Sequence, residues 1–182
     1  MPRALVEQIE PHDRLEGEHR DQVLAWLDRT DDIYRRRAPD VPEQHLVSYF
    51  AVLDQQDQAL LLVDHRKAGL WLPPGGHVET GEHPWVTVQR EAAEELALPA
   101  IPTDRWGTGP AFVTVTRTRG PGVHTDVSLW FVLSASRADD IRFHTGEFKG
   151  IRWWTPNQLA DTDPATLDPH LPRFLAKLSA SP

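Results

Sequence analysis

Gly75-Gly76-His77-Val78-Glu79-Thr80-Gly81-Glu82, followed after seven residues by Arg90-Glu91-Ala92-Ala93-Glu94-Glu95-Leu96-Ala97-Leu98, is the stretch around which the chain is read. Its first half is a glycine-punctuated turn. Pro84 suits the opening turn of a helix, where a missing N–H costs nothing. From there Trp85, Val88, Ala92 and Leu96 recur at helical spacing and predict one narrow apolar face. Counting 100° per residue from Trp85, Glu91, Glu94 and Glu95 fall at about 240°, 180° and 280° on the same wheel. The helix is therefore expected to bury one side and to carry three carboxylates along its flank.

Such a flank is awkward without a partner. Residues at i,i+3 and i,i+4 have Cβ atoms about 5–6 Å apart, and a like-charge pair on an open helix costs a few tenths of a kcal/mol. In a cleft with an effective dielectric near 20 the same pair costs about 3 kcal/mol. A Glu-rich helix by itself reads as a solvated acidic face. Here the glycine turn delivers backbone carbonyls and a fourth carboxylate, Glu82, to the same end. Hard oxygen donors gathered that densely point to a divalent cation, Mg²⁺ or Mn²⁺.

The stretch resembles the Nudix box, Gly-x5-Glu-x7-Arg-Glu-U-x-Glu-Glu-x-Gly-U with U a bulky apolar residue. Gly76, Glu82, Arg90, Glu91, Glu94 and Glu95 fall on its fixed glycine and polar positions, and Leu98 on the last U. Ala92 is a small U, and Ala97 stands where the pattern has glycine. At ordinary residue usage, six such matches arise by accident in on the order of one chain in 10⁵. The resemblance covers about residues 45–180. It implies an α/β fold, a Nudix-type α/β/α sandwich with a central mixed sheet. It also implies hydrolysis of a nucleoside diphosphate linked to some group X. In its terms Glu91, Glu94 and Glu95, with the backbone carbonyl of Gly75, would be metal ligands, and Glu82 would support the turn by hydrogen bonding. Arg90 would pair with a neighbouring carboxylate and orient it. The family uses different glutamates as the base. Glu147, in a setting similar to a late loop of the RNA pyrophosphohydrolase branch, is the first candidate outside the helix, and Glu94 is the next.

Composition has the values of a globular domain. The chain has 182 residues, 40% hydrophobic and 25% charged, enough for one domain with an appendage. No apolar run approaches the ~20 residues that span a bilayer. Glu7, Glu10 and Asp13 near the start do not read as a signal peptide. With no cysteine there is no disulfide, thiolate metal site or cysteine nucleophile, and a cytoplasmic location is the default expectation. The net charge of −8 disfavours a nucleic-acid-coating surface but leaves room for a small phosphorylated substrate, a nucleotide above all, because bound metals reverse the local sign.

Outward from the box, residues 1–43 read as a charged helical leader packing on a hydrolase domain of residues 44–182. A helix is expected over Glu18 to Arg29, and the leader reads as a cap or a homodimer arm. Arg35-Arg36-Arg37 reads first as a solvated charge run, with contact to substrate phosphates as the second reading. Leu46 to Leu53 and Ala59 to Val63 predict a hairpin. His65-Arg66-Lys67 sits in a loop that leads to the glycine turn, so His65 and Lys67 are candidate substrate contacts, an exposed loop being the plainer reading. Val113 to Thr116 and Val127 to Leu133 alternate as strands, joined by a turn at Gly120-Pro121-Gly122. His124 and Asp126 share one strand face; they line the substrate cleft or form a structural pair. A strand ends at Trp154, Thr155-Pro156 starts a short helix through Leu159, and a last helix runs over about Pro169 to Leu178.

For the substrate, the resemblance narrows the field by elimination. The proline of the ADP-ribose branch falls on Val113 and the tyrosine of the dinucleoside polyphosphate branch on Val115. The coenzyme A and NADH signatures are absent, and the isopentenyl diphosphate isomerase branch needs a cysteine. A nucleoside di- or triphosphate pyrophosphatase remains, the oxidised-nucleotide sanitising type included. The alternatives are an RNA 5′-pyrophosphohydrolase-like enzyme and a catalytically silent nucleotide-binding module.

Overall fold

A computed structural model describes residues 2–36, 42–118 and 123–180. Arg37 and the Gly120-Pro121-Gly122 turn lie outside the described residues. Two helices open the chain, α1 (Pro2–Glu7) and α2 (Arg14–Leu27), followed by strands β1 (Gln44–Asp54), β2 (Ala59–His65), β3 (Leu70–Leu72) and β4 (Gly75–His77). Then come α3 (Pro84–Leu96), β5 (Phe112–Arg117), β6 (Thr125–Ser134), β7 (Phe148–Trp154), α4 (Pro156–Ala160) and α5 (Leu171–Ser179).

Among the described residues the strands form one seven-stranded mixed sheet. Its spine runs β3-β2-β1-β6-β5, with β4 added to β1 and β7 to β2. The β1–β2 and β5–β6 pairs are antiparallel, as their short apolar runs and turns predict, while β1 and β6 pair in parallel over ten residues from Gln44–Thr125 to Leu53–Ser134. Alternation along β6 sorts the core. Val127, Leu129, Phe131 and Leu133 face one layer with Val88, Ala92 and Leu96 of α3 and Val23 of α2. Trp130 and Val132 face the other, with Leu159, Leu171 and Phe174 of α4 and α5. Helices thus cover both faces of the sheet, and the α/β sandwich is the observed fold.

The local signals place α3, α4 and the hairpins closely. Pro84 opens α3, with the His83 ring accepting from Trp85 N. Thr155 and Gln158 form a capping box at α4. Two differences stand out. The helix expected over 18–29 begins earlier, because the Asp13 carboxylate caps it by accepting from Glu16 N at 2.8 Å. The glycine stretch is partly strand, since Gly75, Gly76 and His77 pair antiparallel with Tyr49, Ser48 and Val47.

Charges in the leader tie it to the far end of the chain. Arg173 of α5 holds the Asp13 carboxylate at 2.6 and 2.8 Å, which keeps that carboxyl well below its usual range, at about 2. Glu16 is wholly buried and meets Lys177 at 2.5 Å; the same ammonium donates to the Glu10 carbonyl at 2.7 Å. Removing one member of a buried pair strands the other charge. Lys177→Met is therefore expected to destabilise the fold by about 3–5 kcal/mol, read by urea unfolding, while Glu16→Leu combined with Lys177→Met recovers most of that loss. Ala97 ends α3 in the left-handed region (φ 53°), where glycine is at ease. Ala97→Gly is expected to stabilise by about 1 kcal/mol in the same assay.

Candidate active site

Glu95 sits about 20° from Val88 on the helical wheel, so packing α3 onto the sheet carries that carboxylate inward with the apolar face. Glu95 is buried, Glu91 half-buried, and Glu94 points outward with 64% of its side chain exposed. The flank of three is in fact graded from interior to solvent.

Two glycines let the backbone of β4 reach these carboxylates. A Cβ on Gly76 would overlap the Glu91 carboxylate, and one on Gly75 would overlap the backbone of Ser48 and Tyr49 on β1. Gly75 also has φ 152°, and its N–H donates to Glu95 Oε2 at 3.1 Å. Arg90 draws the rest together. It donates to both Glu82 oxygens at 3.1 and 3.2 Å, to Glu91 Oε1 at 2.6 Å and to the His77 carbonyl at 3.3 Å, and lies 3.6 Å from Glu94. Glu82 accepts as well from Glu79 N and from the Thr87 hydroxyl. Burial pushes the Glu82 carboxyl up, but Arg90 and these donors outweigh it and hold it low.

The late loop closes the cluster from the other side. Arg142 N and His144 N donate to the carbonyls of Leu96 and Glu95, two of the acceptors that a helix C-terminus leaves open. Glu147 N then turns back onto the His144 carbonyl, and the Glu147 carbonyl accepts from Arg66 N at 2.9 Å. Glu147 is thereby brought beside Glu95. Burial, then the charges of Glu91 and Glu147, push the Glu95 carboxyl up to about 9. Burial also raises Glu91, against the pull of Arg90. Arg90 directs its donors to Glu82, Glu91 and the His77 carbonyl, and Glu95, Glu91 and Glu147 are left crowded together. Carboxylates so placed fit a hard divalent cation bound through oxygen.

The remaining candidates divide into two places. His65, at the end of β2, takes Ala68 N on its Nδ1 at 3.1 Å and lies within electrostatic reach of Glu147, while burial lowers its pKa. Lys67 is exposed in the β2–β3 turn. His124 and Asp126 gather with His45 and His77, their ligand atoms all within 4.8 Å of one another. Burial, with Arg35 beside it, pushes the His77 imidazole down to about 4, so the ring is neutral at physiological pH. His45 and His77 are the residues the sequence reading passed over. His77 lay in the quoted stretch, but only its glycines and glutamates matched a pattern; His45 was read only as the start of a strand.

The fold has counterparts. A family model for the NUDIX domain matches residues 43–178. The chain belongs to the Nudix family. Among solved structures, this Nudix chain is similar to a NUDIX-family hydrolase from Clostridium perfringens, at 22% identity and a TM-score of 0.58, covering 74% of this chain and 95% of that one. It is also similar to the E. coli dihydroneopterin triphosphate pyrophosphohydrolase (20% identity, TM-score 0.54, 79% and 98% covered) and to a C. elegans Ap4A hydrolase (17%, 0.52, 74% and 94%). At these identities the likeness is one of fold. A search of curated protein sequences returns no match. Among the described residues no helix is long and apolar enough to cross a membrane.

Gly76 offers a direct test of the geometry. Gly76→Ala forces the Glu91 carboxylate aside, and hydrolase turnover is expected to fall about 100-fold while the far-UV circular dichroism stays native.

Proposed function

We propose that this Nudix chain is a Mg²⁺-dependent pyrophosphohydrolase, with Mn²⁺ as the alternative ion, that cleaves a phosphoanhydride bond in a nucleoside di- or triphosphate derivative. The observation that carries this reading is the crowding of Glu91 and Glu147 on the buried Glu95 carboxylate, which also takes the N–H of Gly75. The two relatives whose names specify a substrate, the dihydroneopterin triphosphate and Ap4A enzymes, both act on phosphoanhydrides, which supports the substrate class.

Glu91, Glu94 and Glu95, with the carbonyl of Gly75, would hold the cation. When bound, such an ion neutralises the anhydride's charge and makes a water more acidic. The chain's own residues do the rest. Arg90 fixes the Glu91 carboxylate and ties it to the Glu82 turn, so the ligand oxygens are held before substrate arrives. Glu147 stands beside Glu95 on a loop anchored at both α3 and β2 and would accept the proton of the attacking water, with Glu94 the next choice. His65, half-buried and within electrostatic reach of Glu147, and Lys67, exposed in the turn that follows, would contact the phosphates of the substrate. Residues 1–43 serve as a helical cap on the domain of residues 44–182, fastened through Asp13–Arg173 and Glu16–Lys177.

The test is Mg²⁺-dependent release of phosphate or pyrophosphate from a panel of nucleoside di- and triphosphates, dinucleoside polyphosphates and nucleotide sugars. Glu95→Gln is expected to lower kcat by at least about 100-fold, and Glu147→Gln by about 10²–10⁴-fold. Full turnover in Glu95→Gln would remove α3 from the chemistry.

A further inference from the structure

The gathering of His45, His77, His124 and Asp126 is used by none of the steps above. It arises from topology. The parallel β1–β6 ladder sets His45 opposite Asp126, His124 stands just before β6, and β4 brings His77 opposite Val47 on β1. The three rings lie 4.9, 4.9 and 6.1 Å apart by centroid, with His45 and His124 stacked. Asp126 Oδ1 is 3.4 Å from His45 Nε2 and 3.2 Å from His124 Nε2.

Two observations give this cluster a direction. First, His45 Nε2 and Asp126 Oδ1 are both buried and make no hydrogen bond, although His45 is wholly enclosed. Buried polar atoms left this way are costly unless something fills the gap between them. Second, the outer nitrogens are already held. His45 Nδ1 faces the Pro42 carbonyl at 3.0 Å, an acceptor, so Nδ1 carries the proton and the Nε2 lone pair points at the cluster. His124 Nδ1 lies 3.3 Å from the Thr118 hydroxyl, with its Nε2 turned to Asp126. An outer nitrogen fixed by a carbonyl or hydroxyl, with the inner one presented, is how a metal-binding imidazole is oriented.

We propose that His45, His77, His124 and Asp126 form a second metal site, for a nitrogen-preferring transition-metal dication of the Zn²⁺ type. Three imidazoles and one carboxylate are a tetrahedral donor set of that class, whereas the all-oxygen cluster on α3 suits Mg²⁺. Bonds of about 2.0–2.1 Å place tetrahedral ligands roughly 3.3 Å apart, so the present spread of 4.8 Å closes with small side-chain rotations. Arg35 lies 3.0–3.1 Å from both ring nitrogens of His77, so an ion bound here would displace that guanidinium, and Asp126 would bring the one negative charge of the donor set. The role is structural. An ion here pins β4 to the start of β1 and β6, and β4 carries Gly75 and Gly76 as well as the His77 carbonyl that receives Arg90.

The experiment uses the full chain, stripped with a chelator, reloaded with Zn²⁺, passed through gel filtration and analysed for metal content. Co²⁺ titration followed by visible absorption reports the coordination. One Zn²⁺ per chain, a tetrahedral Co²⁺ spectrum and a higher melting temperature with Zn²⁺ are expected. His124→Gln and Asp126→Asn, each checked for native circular dichroism, are expected to weaken Zn²⁺ binding by at least about tenfold. Glu95→Gln is expected to keep it, even though its hydrolysis fails. No Zn²⁺ retained by the wild-type chain overturns the proposal, as does retention undiminished in both His124→Gln and Asp126→Asn. Loss of Zn²⁺ in Glu95→Gln also overturns it, by placing the ion among the glutamates of α3.

Discussion

Backbone-to-carboxylate contact between β4 and α3 is the constraint on which the site depends. Gly75 and Gly76 lie so near β1 on one side and Glu91 on the other that a single methyl group on either would overlap a neighbour. The strand can therefore bring a backbone N–H to Glu95 without a side chain in between. Every other part of the site is arranged about that contact. Arg90 links the helix to the Glu82 turn, the Glu147 loop sits on the helix's last carbonyls, and burial does the electrostatic work of raising Glu95.

How far the residues announced this depends on the range of the interaction. Pro84 and the 3.6-residue recurrence of Val88, Ala92 and Leu96 are local signals, and α3 runs from Pro84 to Leu96 as they require. The β1–β2 hairpin and the capping box at Thr155 are local in the same sense. Nothing local says that β1 pairs with β6 in parallel, so His45 could not be set against Asp126 from spacing alone. The burial of Glu95 is legible in its wheel angle, which nearly coincides with that of Val88, although its charge marks it for the exposed flank. The burial of Glu16 and Lys177 follows from the meeting of α2 with α5, a contact between residues 161 apart that no local signal announces.

The sandwich also divides labour between its faces. The layer with α2 and α3 contains the carboxylates, while the layer with α4 and α5 is filled by Trp130, Phe112 and Phe174 in mutual ring contact. Aromatic packing of that kind gives a stiff support behind β6. The helix that presents Glu91 and Glu95 is thus backed by a sheet whose reverse side has little freedom to yield.

The parallel ladder between β1 and β6 bears on how the molecule assembles. Its partners are about eighty residues apart, so it cannot nucleate from neighbours in sequence. The two antiparallel hairpins, β1–β2 and β5–β6, can zip up early, each from contacts close along the chain. Joining them is a late, long-range event, and only that event lines up the strand starts where three imidazoles and a carboxylate meet. An ion that binds there would act as a latch, holding the two halves together once they have found each other.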